Sequence, residues 1–147
     1  ETVQRDHVCH VVKAPADVPA EVAARTAEAA RRAVAAVGGV GTFGVELFLA
    51  ADGTVAVNEL APRVHNSGHY TIEACDCSQF ENHVRAVLGW PLGSPRMRAP
   101  AAVMVNLLGA GPGFGRPTGH APARGETGAE ARQGAERAAG AMRLGGA

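Results

Sequence analysis

Two glutamates on either side of a tight turn are the residues of this sequence best suited to chemistry. Glu46 and Glu59 lie in the β-rich runs of the segment Gly44–Leu60, which surround Asp52-Gly53. Asp-Gly is a preferred pair for a two-residue type I′ hairpin turn. That turn predicts that Glu46 lies directly opposite Glu59 on one face of the hairpin. Side chains opposed in this way have Cβ atoms about 5 Å apart, and two like charges there destabilise a hairpin.

A shared proton, a nearby arginine or a bound cation could relieve this repulsion. Proteins usually hold Mg²⁺ through one or two carboxylates, with substrate phosphates completing the coordination shell. The glutamate pair therefore indicates a magnesium site. The alternative is that the strand register slips by one residue, which would turn one glutamate to solvent and make the pairing a coincidence.

The polar loop Arg63–Tyr70 begins four residues after Glu59 and carries an arginine, two histidines, an amide and a hydroxyl. Arginine binds planar or phosphate-like anions through two parallel hydrogen bonds. His65, Asn66 and Ser67 can donate hydrogen bonds to oxyanions. A magnesium site beside such a loop suggests phosphoryl or acyl-phosphate chemistry. The alternative is a polar surface loop whose histidines are incidental.

Several segments together resemble the N5-carboxyaminoimidazole ribonucleotide synthase family, whose members are ATP-grasp enzymes of purine biosynthesis. The most specific of them reads Asn-Glu-Leu-Ala-Pro-Arg-Val-His-Asn-Ser-Gly-His and lies within Val57–Thr71. The others are Val45–Phe48, Ser78–Gly89 and Val103–Gly109. A related ATP-grasp formyltransferase shares the Val-Glu-Leu-Phe strand but differs in the polar loop. The resemblance extends from about residue 1 to about residue 120.

The resemblance implies an ATP- and Mg²⁺-dependent reaction, with Mn²⁺ as an alternative metal. In the family, ATP phosphorylates bicarbonate, and the resulting carboxyphosphate delivers CO₂ to the exocyclic amine of 5-aminoimidazole ribonucleotide. The family mechanism makes Glu46 and Glu59 the metal ligands, and Asn58 and Glu59 the residues that contact ATP. It also implies a homodimeric, cytoplasmic parent enzyme.

The polar loop supplies the remaining roles that the resemblance implies. Arg63 would stabilise carboxyphosphate or bicarbonate. His65 would transfer a proton, since the ordinary pKa of histidine is near 6.5. These two are the expected catalytic residues. Asn66 and Ser67 would bind substrate by positioning bicarbonate and the aminoimidazole. His69 is expected to make a structural hydrogen bond to nearby backbone.

The chain begins with Glu1-Thr2-Val3 rather than Met, and this start is typical of the middle of a strand. We therefore expect a C-terminal fragment of the family's enzyme, without the N-terminal α/β domain, the ATP-binding lysines and the lid over the phosphates. We expect little or no turnover by these 147 residues alone. One alternative is a noncatalytic remnant or interaction module. Another is a sister ATP-grasp carboxylate–amine ligase, against which the His-Asn-Ser-Gly-His loop argues.

Composition excludes several other classes of function. The formal net charge is zero, so nothing indicates an electrostatic partner such as nucleic acid or an anionic membrane. No apolar run approaches the ~20 residues that span a bilayer. The odd set of Cys9, Cys75 and Cys77 matches neither a disulfide framework nor a zinc knuckle. Three reduced thiols favour a cytoplasmic protein.

The resemblance implies an α+β fold, an antiparallel sheet with packed helices, as in the C-terminal subdomain of ATP-grasp proteins. We expect one strand over residues 1–14 and a helix over 16–37 that Asp17 caps. The capping box Ser78-Gln-Phe-Glu81 opens a second helix, and a buried strand covers 101–108. The apolar side chains of the second helix are expected to face the core: Phe80, Val84, Val87 and Leu88.

Three regions follow from these elements. Residues 1–98 would form the C-terminal part of the ATP-grasp domain, and residues 99–120 the start of a small C-terminal β domain. From Ala121 onward the only large apolar residues are Met142 and Leu144. Such a stretch buries too little surface to offset the entropy of ordering. We therefore expect residues 121–147 to be a disordered or off-family tail, with a transient Ala/Arg/Glu helix near 126–144 as the alternative.

Overall fold

A computed structural model describes residues 1–109 and 117–142 of the chain. Its six strands are β1 (Thr2–Arg5), β2 (Val8–Ala14), β3 (Gly44–Leu49), β4 (Val55–Ala61), β5 (Ala101–Leu108) and β6 (Pro117–Gly125). Its four α-helices are α1 (Ala20–Val37), α2 (Thr71–Ala74), α3 (Gln79–Val87) and α4 (Gly128–Ala141), and one 3₁₀ turn covers Asn66–Gly68. The predicted α+β class is confirmed. The glycine-rich segment 111–115, for which the sequence predicts a turn and loop, lies outside the described residues.

The main sheet joins both ends of the described chain. Its strand order is β1-β2-β5-β6, and every neighbouring pair is antiparallel. Helix α4 packs on β5 and β6, and Met104 on β5 is fully buried. Strands from both sides of residue 98 thus form one sheet. Small and β-branched side chains make its core with α4: Ala101, Val103, Ala131 and Ala135.

The first 14 residues form a hairpin, so the single strand predicted there is wrong. Asp6 and His7 both have positive φ, at 50° and 62°, as the central residues of a type I′ turn require. The turn joins Arg5 to its partner Val8. Turn prediction relies on Gly or Asn at such positions, and the Asp-His pair carries no comparable signal.

The disorder predicted for residues 121–147 is also wrong over the described part, which continues β6 and adds α4. Thr127 caps this helix, because its hydroxyl accepts a hydrogen bond from the Glu130 amide at 3.2 Å. Ala131 and Ala135 are fully buried against the sheet. A Cβ on Gly134 would lie 3.0 Å from that of Ala123. The helix lies so close to β6 that alanines suffice to bury its inner face, so large apolar residues are not needed.

Helix α1 is confirmed, although it begins at Ala20 and its N-cap position is Pro19. Asp17 is therefore not the cap; its carboxylate lies 3.7 Å from Lys13 Nζ instead. The helix ends at Gly38, whose φ of 68° is left-handed. Glycine adopts that conformation without steric cost.

The turn of the β3–β4 hairpin is longer than the predicted two-residue turn. The Ala50 amide donates to Thr54 O at 2.9 Å, so the loop has three residues, 51–53. Gly53 takes the left-handed position, with φ of 82°. This is the type I turn with a following left-handed residue that three-residue hairpin loops favour.

A β-bulge in β4 restores the register that the longer turn would otherwise shift. Leu47 pairs with Val57, whereas Glu46 pairs with Glu59, so Asn58 is the extra residue. The bulge places Val57 and Glu59 on opposite faces of the hairpin although they are two positions apart. The predicted opposition of the two glutamates is therefore confirmed, through a turn and a bulge that compensate each other.

The apolar side of α3 is exposed rather than buried, contrary to the prediction. The exposed fractions are 38% for Phe80, 49% for Val84, 53% for Val87 and 55% for Leu88. Helical periodicity identifies which side of a helix is apolar, but it does not say whether another element covers that side. The predicted N-cap is confirmed, because Ser78 Oγ accepts from the Glu81 amide. The Glu81 carboxylate binds Arg85 instead of returning to the cap.

Candidate metal and nucleotide site

The site begins at the glutamate pair on the β3–β4 hairpin. Glu46 and Glu59 face each other across the ladder. His65 joins them, and one ligand atom from each of these three residues lies within 4.8 Å of the others. His65 Nε2 lies 3.7 Å from Glu46 Oε1. The structure thus brings two residues of the hairpin and one of the polar loop to a single point.

His65 reaches the hairpin because Gly44 leaves room for it. A Cβ on Gly44 would lie 2.6 Å from both Cβ and Cγ of His65, which no real side chain tolerates. The other edge of the ring contacts Ser67, whose Oγ lies 2.8 Å from His65 Nδ1. The loop thus holds the ring between β3 and its own serine, with Nε2 directed toward Glu46.

The donor set fits a divalent cation. Two oxygens bound to one Mg²⁺ at about 2.1 Å are at most about 4.2 Å apart. Small side-chain movements would therefore bring Glu46 and Glu59 onto one ion. Mn²⁺ accepts the same oxygen ligands and also tolerates imidazole.

Two of the other predicted residues lie at the edge of this site. Asn58 is exposed on the bulge, and its Nδ2 donates to Glu46 Oε2 at 3.5 Å. Arg63 is exposed, and its Nη1 donates to Val64 O at 3.0 Å. Among the described residues, the guanidinium of Arg63 has no ion pair. The structure therefore brings Asn58 to the carboxylates but leaves Arg63 pointing elsewhere.

Asn66 and Ser67 form the 3₁₀ turn that follows His65. The backbone carbonyl of Asn66 accepts from the His69 amide. Ser67 lines a cleft of about 1030 Å³, which Glu46, Tyr70 and Gln4 also line. Residues of α1 also line the cleft, among them the apolar side chains of Val22, Ala27 and Ala30. A ligand in the cleft would therefore contact both an acidic edge and an apolar wall.

Sequence reasoning missed Gln79, the first residue of α3. Gln79 is buried, with 8% of its surface exposed, and its side chain makes hydrogen bonds to the polar loop. Its Oε1 accepts from the His65 amide at 3.0 Å, and its Nε2 donates to His65 O at 2.8 Å. The same Nε2 lies 2.7 Å from His69 Nδ1. No local signal separates this glutamine from any other in a helical first turn, because its partners lie 10 and 14 positions earlier.

His69 makes a structural hydrogen bond, as predicted, although its partner is the Gln79 side chain rather than backbone. Its ring contacts those of Phe80 and His120 in tilted arrangements, with centroid distances of 5.2 Å and 5.4 Å and interplanar angles of 37° and 52°. Burial lowers the pKa of His69 below its ordinary value, and His120 and His65 lower it further. His69 therefore supports the loop as a neutral ring.

Paired carboxylates on an antiparallel hairpin, joined by an imidazole at the edge of a cleft, could hold a divalent cation together with an anionic ligand. The family model of the ATP-grasp domain matches residues 1–80. This chain belongs to the ATP-grasp family.

Individual relatives agree with this assignment. The N5-carboxyaminoimidazole ribonucleotide synthase of Mycobacterium leprae is 54% identical over 111 residues, which are 75% of this chain and 25% of that protein. The chloroplastic phosphoribosylaminoimidazole carboxylase of Vigna aconitifolia is 52% identical over 103 residues, covering 70% of this chain and 18% of that protein. These similarities confirm the resemblance that the sequence indicates.

Solved structures agree as well. The crystal structure of N5-carboxyaminoimidazole synthase from Aspergillus clavatus, in complex with ADP and 5-aminoimidazole ribonucleotide, matches with a TM-score of 0.86 and 34% identity. The match covers 96% of this chain and 46% of that chain. The chain spans between 18% and 27% of the lengths of the curated relatives it matches.

Within residues 1–109 and 117–142, none of the helices is both long enough and apolar enough to cross a membrane.

Proposed function

We propose that this chain supplies the metal-binding part of an ATP-dependent enzyme that carboxylates 5-aminoimidazole ribonucleotide with bicarbonate. The observation that carries the proposal is the convergence of Glu46, Glu59 and His65 on one point. The names of the relatives and the ligands of the Aspergillus clavatus structure support the choice of substrates. Bicarbonate, carboxyphosphate and a homodimeric enzyme come from the resemblance alone.

The two carboxylates have the clearest role. Glu46 and Glu59 would hold Mg²⁺ or Mn²⁺, and Asn58 and Glu59 would contact the nucleotide. A divalent cation held by these carboxylates would supply the positive charge that offsets the negative charge of the phosphates during phosphoryl transfer. Without the cation, the facing carboxylates would repel both each other and the phosphates.

The polar loop would act on the second half of the reaction. His65 is in reach of Glu46 and held by Ser67, so it is the candidate for moving a proton. Ser67 lines the cleft and, together with Asn66, would position bicarbonate and the aminoimidazole. Arg63 would stabilise the acyl-phosphate anion. This last role requires its exposed guanidinium to leave Val64 O and turn toward the ligand.

The proposal is tested by calorimetric titration of the purified 147-residue chain with Mg²⁺-ATP. We expect binding that disappears in the double variant Glu46→Gln/Glu59→Gln, because neutral amides lose the charge that holds the cation. The matched control is Glu28→Gln/Glu136→Gln, which removes two exposed carboxylates on α1 and α4. This control changes the net charge equally and should bind like the wild type.

Absence of binding to a wild-type chain that circular dichroism shows to be folded would contradict a preformed site. Equal loss of binding in both double variants would show that net charge, rather than the glutamate pair, is responsible.

A cytoplasmic location is part of the same proposal and is supported by Cys9, Cys75 and Cys77, which are all free.

A further inference from the structure

The Gln79 amide ties the polar loop to α3 through three hydrogen bonds. Its oxygen accepts from the His65 amide, and its nitrogen donates to both His65 O and His69 Nδ1. These contacts use both hydrogens of the amide nitrogen. No other uncharged side chain of this length offers an acceptor and two donors on one rigid plane.

The space around this amide is fitted to it. A Cβ on Gly68 would lie 2.4 Å from Gln79 Oε1 and 2.8 Å from its Cδ. The loop backbone therefore approaches the amide as closely as a residue without a side chain allows. A larger residue at position 68 would push either the loop or the glutamine away.

Gln79 is itself anchored on both sides. Its backbone amide donates to Thr71 Oγ1 at 2.9 Å, and the same hydroxyl donates to Gly68 O at 2.6 Å. Its backbone carbonyl accepts from Thr42 Oγ1 at 3.0 Å. Thr42 lies two residues before β3, the strand that carries Glu46. One residue thus links α3, the polar loop and the start of the hairpin.

We propose that Gln79 is a positioning residue that directs His65 toward Glu46 and fixes the ring tautomer of His69. The part that concerns His65 rests on the proposed function, because it assumes that His65 acts at the metal site. The part that concerns His69 follows from the hydrogen bonds alone. Because Gln79 Nε2 can only donate, His69 Nδ1 must accept, and its ring proton must lie on Nε2.

The test uses nitrogen-15 NMR of the histidine rings in the 147-residue chain, with the variant Gln79→Glu. A carboxylate keeps the size of the side chain and its acceptor but has no donors. We expect the His69 ring to change from the Nε2–H tautomer to a form protonated at Nδ1. We also expect added Mn²⁺ to broaden the His65 ring signals severalfold less than in the wild type, because the ring moves away from the carboxylates.

Asn82→Asp is the matched control. Asn82 lies on the same helix and makes a similar amide clamp, with Nδ2 donating to Gly93 O and Oδ1 accepting from the Gly93 amide. The change should leave the His69 tautomer and the Mn²⁺ broadening as in the wild type. If Gln79→Glu does not fold, Gly68→Ala replaces it in the test. Its added Cβ would displace the loop from the Gln79 amide, so the same changes are expected at His69 and His65.

An unchanged His69 tautomer and unchanged broadening of His65 in folded Gln79→Glu would overturn the assignment. The same changes in Asn82→Asp would also overturn it, because they would reflect general loosening of α3. A wild-type chain in which Mn²⁺ does not broaden His65 would contradict the metal site of the proposed function. The His69 tautomer would still decide the role of Gln79.

Discussion

His69 links a single proton to the stability of the polar loop. Its pKa is lowered mainly by burial and further by His120 and His65. Its Nδ1 accepts from Gln79, which also favours the neutral ring. The folded chain therefore binds a proton at His69 less readily than the unfolded chain does, whose histidines titrate near pH 6.5.

The sign of the pH dependence follows from this difference. The contribution of the neutral ring to stability is fully present above about pH 6.5, and it is lost as the pH falls through the lower pKa of the folded state. Urea unfolding of the wild type should therefore show decreasing stability between about pH 7 and pH 5. The variant His69→Asn, whose side-chain oxygen can still accept from Gln79, should lose part of that decrease. Identical pH profiles for the two chains would contradict the assignment.

Residue types and spacing predicted the centre of the site but not its support. Glu46 and Glu59 stand out because like charges in opposed positions require an explanation, and His65 follows in a loop dense with donors. Gln79 carries no such signal, because its function depends on a loop that lies earlier in the sequence and folds back over it. Contacts between distant segments are the information that local patterns lack.

At the scale of elements, caps and turns decide where segments begin. Thr127 and Glu130 form a cap of the Ser/Thr-x-x-Glu kind, with Glu130 Oε2 accepting from the Glu126 amide at 3.1 Å. This motif is readable in the sequence, and the prediction of disorder overlooked it because it counted only large apolar residues. A helix that packs closely on a sheet needs small residues instead.

The variant Thr127→Ala should destabilise the chain by about 1 kcal/mol, the usual cost of losing an N-cap hydroxyl. The free energy of unfolding in urea measures this change. Asp17→Ala is the control, because Asp17 precedes α1 without capping it, and its carboxylate makes an exposed contact with Lys13. That variant should stay within about 0.5 kcal/mol of the wild type. A larger loss of stability in Asp17→Ala than in Thr127→Ala would show that the N-caps of the two helices are wrongly assigned.

In the β3–β4 hairpin, the opposition of Glu46 and Glu59 was predicted correctly, although the predicted turn and pairing were wrong in detail. The Asp-Gly pair was expected to form the whole loop, whereas the structure uses three loop residues and a bulge at Asn58. Each change alone would misalign the glutamates, and together they restore the alignment. The bulge interrupts the alternation of side chains along β4, so neither the turn type nor strict alternation describes the observed pairing of the glutamates.

For the whole molecule, the sheet β1-β2-β5-β6 makes the first and last described segments interdependent. No pattern in the sequence states that residues 8–14 pair with residues 101–108, since this contact spans the entire hairpin and the polar loop. The candidate metal site lies on the separate two-stranded sheet β3–β4, whose strands come between β2 and β5 in the sequence.

Because β1, β2, β5 and β6 form one sheet, we expect a substitution that destabilises α4 to destabilise β1 and β2 as well. Ala135 is fully buried between α4 and the sheet, in a cluster with Ala131, Ala101 and Val103. In Ala135→Asp an unpaired carboxylate would replace a methyl group, at a cost of about 3–5 kcal/mol. If the sheet unfolds as one cooperative unit, the amides of β1 and β2 lose protection from hydrogen exchange together with those of α4. Gln133→Asp, two residues away on the exposed side of the helix, should leave both unchanged. Loss of protection confined to α4 would instead show that the helix folds and unfolds independently of the sheet it covers.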